Sequence, residues 1–518
     1  MNWPKKLAPI LLALVICGIT LATLGDYGIT WDENLYFPAS EAHMEWFKRP
    51  SLATIDQHWV HISEHPPMNK VLAGLSEFLF HDVLGLVSTI VGFRLALLPF
   101  VFALCWVLYT WAAELYGDFV ALLVTLSFAF LPRVFFQSHI VAIDYMITAV
   151  GVLVAYAYWK EVRSRRWPWV TAVLLGVALL TKVNGFFLYL PLMIYWAYFH
   201  RHQILWRLYR QANFDPQERI RCYLRLIPLY TVPFAIWIAC WPWLWPQPLQ
   251  RILDNLTFHA RHGAIPVYYL GKTYVMAPWH YPFVQIVVTT PLVMLVPLIG
   301  GLVAITLRRA WDRYLWIGLN AALTIILLIP PVPKYDNARL MLPAFPFLCL
   351  LAGAGLFYAV QLIKPPWARK LALAGYLVLL LVSAYFGVVR THPYQSSYYS
   401  EVVGGVDGAV RLGFEADYWG NSYRGLLPWL NEHAEETFWF PRGDVDPYLF
   451  ETFRYYVEDG LLEKPLHFSS KEDSTYMIIL VRQGFFTEEM WDYYTEEEPV
   501  FATRLSNTIL AAIYRLRE

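Results

Sequence analysis

The chain has 518 residues, of which 58% are hydrophobic and 15% are charged. Ordinary soluble domains carry about a quarter charged residues and less than half apolar ones, so this composition excludes such a domain and favours a membrane protein. The formal net charge is zero, which provides no global positive field to attract nucleic acid. The five cysteines have no CxxC spacing, which predicts neither a disulfide framework nor a cysteine metal site.

Long apolar stretches recur along most of the chain. A helix needs about 20 mostly apolar residues to cross a bilayer. The sequence therefore predicts an α-helical polytopic membrane protein with about 11 transmembrane helices. The candidate spans lie near 7–24, 91–113, 119–136, 140–159, 168–182, 184–199, 226–246, 283–307, 314–332, 340–362 and 371–389.

The basic residues predict the orientation in the membrane. Lysine and arginine in short loops favour the cytoplasmic side. They precede the first span and fill the connections near 160–166, 201–225, 308–313 and 364–370, all on one face of the predicted topology. We therefore expect an integral protein of the cytoplasmic, or inner, membrane. The other, extracytoplasmic face receives the long first loop over 25–90.

The last part of the chain has a different composition. After about residue 390 the long apolar runs cease, and turn signals such as the Pro441 to Asp444 run alternate with strand-like segments such as Tyr476–Val481. The sequence predicts two domains. These are a transmembrane domain over 1–390, with the first loop contributing to catalysis, and a small soluble extracytoplasmic α/β domain over 391–518.

Two adjacent carboxylates, Asp32 and Glu33, follow the first predicted span. Thr30 with a glutamate three positions later has the pattern of a helix capping box, which by itself would explain Glu33. The box does not require Asp32. A hydroxyl or amine that attacks a sugar carbon must lose its proton, and one carboxylate suffices to accept it. Asp32 is therefore a candidate general base.

A histidine-rich segment, HWVHISEHPPMNK, occupies residues 58–70 of the first loop. Its residue types could hold a metal, but the spacing fits no standard metal motif. The favoured interpretation is a polar pocket near the membrane surface, lined by His65, in which Lys70 is available to an anionic group. The weak candidates for metal ligands are Glu64, His58, His61, His259 and His262.

Further ionisable residues lie at the external ends of predicted spans, where burial is expensive and function is common. Asp144 begins the fourth span, and its simplest alternative role is that of an interfacial carboxylate paired with a neighbour such as Arg133. The cations could merely extend to lipid headgroups, or they could converge to bind a lipid-linked phosphate. The candidate binding residues of this group are Arg94, Lys182, Lys334, Tyr335 and Arg339.

Together these features resemble the GT-C glycosyltransferases that use polyprenyl-phosphate sugars. The similarity is to the protein O-mannosyltransferases (glycosyltransferase family 39) and the lipid A aminoarabinose transferases. It covers about residues 1–360. It rests on Asp32-Glu33, the HPPMNK run at 65–70, Asp144, and the RLMLPAFP run at 339–346.

The resemblance implies an inverting transfer of a mannose-like hexose or a modified pentose from a polyprenyl-phosphate carrier. The acceptor would be a protein, lipid or glycan at the extracytoplasmic face. Asp32 would be the base and Glu33 an orienting or acceptor-binding residue. The family needs the lipid-linked sugar donor and no obligatory cofactor, although a divalent metal is possible. The other expected partners are membrane lipids. The residues that the resemblance adds to the site are His65, Lys70, Asp144 and Arg339.

The chain also departs from the family pattern. Eukaryotic protein mannosyltransferases insert a sugar-binding-like domain in a late external loop, and no loop here is long enough for it, so a bacterial-type enzyme is the better match. Two alternatives remain. One is an oligosaccharide ligase or polymerase with a pyrophosphate-linked donor. The other is a lipid or glycan transporter, which would carry charged or broken helices at mid-membrane.

Overall fold

The computed structural model describes residues 3–204, 216–261, 263, 265–441 and 449–516. The helices before the first gap are Trp3–Thr23, Trp31–Lys48, Ile55–His58, Met68–Glu77, Thr89–Arg94, Leu98–Tyr116, Asp118–Ala129, Pro132–Gln137, Ile143–Arg163, Trp169–Thr181, Tyr189–Phe199 and Arg201–Ile204. Those after it are Pro216–Leu224, Leu226–Ala239, Pro248–Ala260, Tyr281–Thr289, Leu292–Leu307, Trp311–Leu327, Phe345–Gln361, Pro366–Ala384, Gly405–Arg411, Leu427–Glu432, Leu449–Glu458 and Glu488–Glu496.

Apolar helices long enough to cross a membrane are present, so the predicted helical polytopic class is confirmed. In the described residues, five stretches meet this criterion of length and composition: Leu7–Asp26, Thr89–Tyr116, Pro216–Ala239, Arg339–Gln361 and Pro366–Val389. Shorter apolar helices are Asp118–Ala129, Trp169–Thr181, Val183–Phe199 and Leu292–Leu307. The total of about 11 spans stays a prediction.

Prolines divide two of the predicted spans. The stretch at 119–136 is broken before Pro132, and the stretch at 283–307 is broken at Pro291. The residue before a proline is sterically excluded from the helical region. Leu131 and Thr290 accordingly adopt extended backbone conformations. The prediction of single continuous helices at these two places was wrong.

Two glycines allow the closest helix crossing in the apolar core. A Cβ atom built on Gly301 would lie 2.2 Å from the carbonyl oxygen of Leu351, and one on Gly355 would lie 2.0 Å from that of Pro297. The helices Leu292–Leu307 and Phe345–Gln361 therefore touch backbone to backbone. Small residues favour such contacts in membranes, where dispersion forces rather than the hydrophobic effect hold helices together.

In the part of the chain that the structure describes, seven strands form two sheets. They are β1 (Val267–Tyr269), β2 (Lys272–Tyr274), β3 (Thr437–Trp439), β4 (His467–Phe468), β5 (Tyr476–Leu480), β6 (Phe501–Leu505) and β7 (Thr508–Arg515). β1 and β2 form a hairpin. The other five have the order β4-β3-β5-β7-β6, with β3 parallel to β4 and β5, and β7 antiparallel to β5 and β6.

The five-stranded sheet is covered by a helix on each face. Ile478 and Leu480 join the apolar cluster of helix Leu449–Glu458, whereas Met477 and Ile479 join that of helix Glu488–Glu496, as the two-residue period of a strand requires. The predicted α/β character of this part is confirmed. The first cluster also includes buried residues of the first loop, so the sheet packs directly on that loop. The boundary between 390 and 391 stays a prediction.

Replacing Gly355 by alanine adds one methyl group at the helix crossing. We expect the free energy of unfolding to fall by about 1–3 kcal/mol, the usual effect of overpacking, and thermal unfolding in detergent micelles measures it. The matched control is Gly375→Ala, because a Cβ there meets nothing within 4 Å. That variant should unfold at the wild-type temperature or slightly above it. Equal loss in both variants would contradict the tight crossing.

Candidate active site

The N-terminus of helix Trp31–Lys48 orients Asp32. Thr30 is the N-cap and has an extended backbone conformation. The backbone N–H of Thr30 donates a hydrogen bond to the carboxylate of Glu33 at 3.1 Å, so the predicted capping box is present. The backbone N–H of Trp31 donates to the carbonyl oxygen of Trp419 at 3.1 Å. The helix start is therefore fixed by its own side chains and by the C-terminal part of the chain.

A fully buried ion pair between Glu33 and Arg94 lies beside this helix start. Arg94 donates from Nε and Nη2 to the two carboxylate oxygens of Glu33, each at 2.8 Å. The backbone N–H of Val141 donates to the same carboxylate at 3.1 Å. The other donors of Arg94 reach the carbonyl oxygens of Leu24, Tyr27 and Gly28. These contacts are internal to the fold, and the structure does not place Arg94 among the cations around Asp32.

Arg339 is the centre of a buried cluster of charges. Its Nη2 donates to Oδ2 of Asp32. Its Nε lies 2.7 Å from Oδ2 of Asp144, and its Nη1 lies 2.7 Å from Oδ2 of Asp336. Lys182 adds a second cation, with Nζ 2.6 Å from Oδ1 of Asp144. The structure thus brings together four residues that the sequence predicted, and Asp336 is new.

Three helix ends deliver these side chains. Asp144 is the second residue of helix Ile143–Arg163, where the helix dipole favours an anion. Lys182 is the extended residue directly after helix Trp169–Thr181. Arg339 begins a tight helical turn that leads into helix Phe345–Gln361. The charges therefore meet where helices start or end, and not along a continuous helical segment.

The contacts of Asp144 identify its partners. Asp144 is a paired carboxylate, but its partners are Lys182 and Arg339, so the suggested pairing with Arg133 was wrong. Arg133 instead donates from Nε to the carbonyl oxygen of Tyr398 at 3.0 Å. Asp144 and Lys182 also line a cavity of about 60 Å³ between the helices. A small group in this cavity can therefore contact both Asp144 and Lys182.

The C-terminal part of the chain supplies two residues that sequence reasoning missed. Arg482 donates from Nη2 to Oδ1 of Asp336 at 2.8 Å. The ring of Trp419 lies 4.3 Å from the guanidinium carbon of Arg339, a cation–π distance. Asp336 had a weak signal in the sequence, since it follows two predicted site residues in the run KYDNAR. Arg482 and Trp419 had none.

Burial changes the acidity of the predicted base. The side chain of Asp32 is 15% exposed. Burial raises its pKa to about 6, although the neighbouring Arg339 favours the ionised form, and the nearby carboxylates of Asp144 and Asp336 raise the pKa further. Asp32 is therefore a stronger proton acceptor than an ordinary aspartate and is still largely ionised at neutral pH.

The remaining predicted lysines bind backbone groups. Lys70 donates from Nζ to the carbonyl oxygens of Ile62 and His65 at 2.6 and 2.8 Å. Burial lowers the pKa of Lys70 to about 7. Lys334 donates to three carbonyl oxygens, among them that of Ala277 at 3.0 Å. A buried ammonium group must find acceptors, and these loops provide them. Neither lysine contacts the carboxylates of the cluster.

His65 and Tyr335 lie beside the cluster. Burial lowers the pKa of His65 well below its usual range, and the charges of Lys182 and Arg339 add to that effect. Burial raises the pKa of Tyr335 to about 12, against the influence of Arg339. Both side chains are therefore neutral at physiological pH. They can line a polar pocket without adding charge to it.

The histidine-rich segment does not assemble a set of metal ligands in the described residues. There, the one group of at least three possible ligands is Glu77, His81 and Asp82, which were not candidates. His259 instead contacts the backbone carbonyl oxygen of Glu64, 2.7 Å from its Nε2. Of the sequence candidates, Glu64, His58, His61 and His259 are described and do not form such a group, whereas His262 lies outside the described residues.

Comparisons with known proteins agree with this architecture. Residues 69–243 match the family model of the dolichyl-phosphate-mannose-protein mannosyltransferases. The crystal structure of ArnT from Cupriavidus metallidurans bound to undecaprenyl phosphate is similar with a TM-score of 0.51 and 14% identity, covering 99% of this chain and 98% of that one. The apo structure of the same protein gives 0.52 and 15%, covering 98% and 97%. No curated protein matches the sequence.

At such low identity the likeness establishes the fold. The chain has the fold of ArnT over nearly its whole length, which confirms the GT-C fold predicted from its motifs. The family-model match covers the first loop from Asn69 and the spans up to Trp243. The resemblance to GT-C glycosyltransferases is therefore confirmed by two independent comparisons, while the assignment of individual residues is a matter of geometry.

Removing Arg94 leaves the carboxylate of Glu33 buried without a counter-charge. We expect Arg94→Ala to lower the free energy of unfolding by about 3–5 kcal/mol, measured by thermal unfolding in detergent. The control is Lys160→Ala, which breaks an ion pair with Glu114 in which the lysine is 51% exposed. Such surface pairs contribute about 0–1 kcal/mol. Wild-type stability of Arg94→Ala would show that the buried pair does not support the helix start.

Proposed function

We propose that this protein is a membrane glycosyltransferase. It transfers a mannose-like hexose or a modified pentose from a polyprenyl-phosphate carrier to an acceptor at the extracytoplasmic face of the inner membrane. The observation that carries the proposal is the buried cluster of Asp32, Asp144, Lys182 and Arg339 in a chain with the fold of ArnT. One group in that cluster can accept a proton, and two can neutralise a phosphate.

The chemistry requires one base and a charged leaving group. The hydroxyl or amine of the acceptor attacks the anomeric carbon on the face opposite the phosphate, so that the configuration inverts. The bond from that carbon to the phosphate oxygen breaks, and polyprenyl phosphate leaves with the electron pair. Asp32 accepts the proton of the acceptor. Because the phosphate oxygen carries its charge without protonation, no general acid is needed.

Lys182 and Arg339 are the cations assigned to the donor phosphate. A guanidinium group offers parallel donors to phosphate, and an ammonium group offers a compact charge. Arg339 uses one nitrogen for Asp32 in this structure. A phosphate that takes up this nitrogen releases Asp32 toward the acceptor, which couples donor binding to the availability of the base.

The fold relative supports the choice of carrier in this proposal. One ArnT structure contains undecaprenyl phosphate, a polyprenyl monophosphate. That ligand favours a monophosphate donor for this chain over the pyrophosphate-linked glycan of a ligase or polymerase. Transfer is favoured over transport because the charges at these helix ends include a carboxylate that can act as the base as well as two cations for the phosphate. Glu33 acts in this account by fixing the helix start that carries Asp32.

Asp32→Asn removes the base but keeps the shape of the side chain. We expect transfer to fall by about 10²–10⁴-fold, the usual contribution of general base catalysis, with unchanged thermal unfolding. Transfer is measured with radiolabelled polyprenyl-phosphate sugars and membranes of a strain that lacks the gene. The control is Asp26→Asn, whose carboxylate is 50% exposed and pairs with His392. Normal turnover by Asp32→Asn would refute the assignment of the base.

The acidity of Asp32 predicts the pH dependence of transfer. The base acts only when ionised, and its pKa is about 6. We therefore expect kcat/KM to fall about tenfold per pH unit below pH 6 and to level off above pH 7 as far as this group is concerned. The measurement is the pH profile of initial rates at low donor concentration. An acidic limb near pH 4, where an ordinary carboxylate titrates, would contradict a buried base.

A further inference from the structure

Arg482, from the C-terminal part of the chain, reaches the charge cluster. Asp336 lies between two arginines, because its Oδ1 accepts a hydrogen bond from Arg482 at 2.8 Å and its Oδ2 accepts one from Arg339 at 2.7 Å. Arg339 in turn holds Asp32. Arg482 is thus separated from the proposed base by two intervening side chains, and it does not touch that base itself.

The sheet holds Arg482 in one orientation. The residue is 8% exposed and lies two residues after the end of β5. Its Nη1 donates to the carbonyl oxygen of Tyr418 at 2.8 Å, and its guanidinium carbon lies 4.4 Å from the ring of Phe485. The preceding residue, Val481, pairs through its backbone with Leu510 and Asp417. The position of Arg482 is therefore set by the C-terminal sheet.

The second C-terminal contribution comes from Trp419. Its ring covers Arg339 at 4.3 Å, and its carbonyl oxygen accepts the backbone N–H of Trp31, the residue before Asp32. One residue therefore contacts both sides of the proposed catalytic ion pair. Asp417 fixes this segment through hydrogen bonds from the backbone N–H groups of Tyr418 and Trp419.

Arg482 also completes the charge balance of the cluster. The carboxylates of Asp32, Asp144 and Asp336 face three cations, namely Lys182, Arg339 and Arg482. Without Arg482, a buried carboxylate would lack its counter-charge, which is strongly unfavourable. Arg339 would then be the one cation of the cluster in contact with Asp336 and with Asp32, since Lys182 pairs with Asp144.

We propose that the C-terminal segment completes the active site, with Arg482 as a positioning residue that shares Asp336 with Arg339 and so aims Arg339 at Asp32 and the donor phosphate. Trp419 covers the free face of the same guanidinium group. This inference rests on the proposed function and extends it. It makes the C-terminal segment part of the catalytic machinery, whatever acceptor it also contacts.

The test compares full-length Arg482→Gln and Arg482→Lys with the wild type in lipid nanodiscs. The donor is undecaprenyl phosphate that carries radiolabelled mannose or aminoarabinose, and the acceptor source is total membrane from a strain that lacks the gene. We expect Arg482→Gln to lower kcat by about 100-fold, since small misplacements of positioning groups have effects of this size. Its acidic limb should move to higher pH, because loss of a cation raises the pKa of Asp32.

The other variants separate positioning from folding. Arg482→Lys keeps the charge, so it should restore the acidic limb and part of kcat. Arg504→Gln, an exposed arginine on β6, should behave as wild type. The double variant Asp336→Asn, Arg482→Gln removes both partners and should be no slower than Asp336→Asn alone, since both act through one contact. This comparison remains informative if Arg482→Gln alone unfolds.

The outcomes distinguish the two proposals. If the wild type is active and Arg482→Gln has the same kcat and pH profile, this inference is overturned and the proposed function stands. Equal losses in Arg482→Gln and Arg482→Lys that follow their thermal unfolding, with no movement of the acidic limb, would also overturn it, because they indicate a structural role. A wild type that turns over neither donor would overturn the proposed function for these sugars, and this inference with it.

Discussion

The guanidinium group of Arg339 is the interaction on which the arrangement of the site depends. Three of its nitrogens each bind a different carboxylate, those of Asp32, Asp144 and Asp336. A planar group with a fixed set of donors can do this only if all three acceptors are held in its plane or close to it. A lysine also has three donors, but all three leave one nitrogen atom, so they do not define a plane as the separate nitrogens of a guanidinium group do. The fold must therefore fix three distant chain segments relative to one another.

The rest of the structure supplies that fixation. The capping box and the buried pair of Glu33 with Arg94 hold the helix that begins beside Asp32. The start of helix Ile143–Arg163 presents Asp144, and the turn after Asn337 presents Arg339. The C-terminal sheet holds Arg482, which binds the second carboxylate oxygen of Asp336. Three carboxylates and three cations meet there, so the cluster is neutral overall, which limits the free energy cost of burying it.

Much of this architecture could be predicted from the sequence. Apolar runs predict the helices. Four charged residues stand at the ends of those runs, which predicts that they lie close together at one face of the helical domain: Asp32, Asp144, Lys182 and Arg339. Pro132 and Pro291 were visible as well, but span-length averages of hydrophobicity hide a local break. The prediction of one continuous helix through Pro291 failed for that reason.

Other features depend on tertiary packing that no local pattern encodes. Asp336 and Arg482 are 146 residues apart, and nothing in either segment identifies the other. Lys70 and Lys334 have the right residue type for a phosphate, yet nearby backbone carbonyl oxygens accept their hydrogen bonds. The charge of a side chain predicts that it can bind a phosphate. Only the fold decides which hydrogen-bond acceptors lie within its reach.

The account depends most directly on where the donor phosphate binds. A structure of the protein determined with undecaprenyl phosphate mannose, or with a phosphonate analogue that cannot react, would locate it. We expect the phosphate oxygens within hydrogen-bond distance of Lys182 or Arg339, and the anomeric carbon on the side of Asp32. A phosphate bound at Lys70 and Lys334, or at the ends of the helices far from Asp32, would contradict the assignment of Lys182 and Arg339.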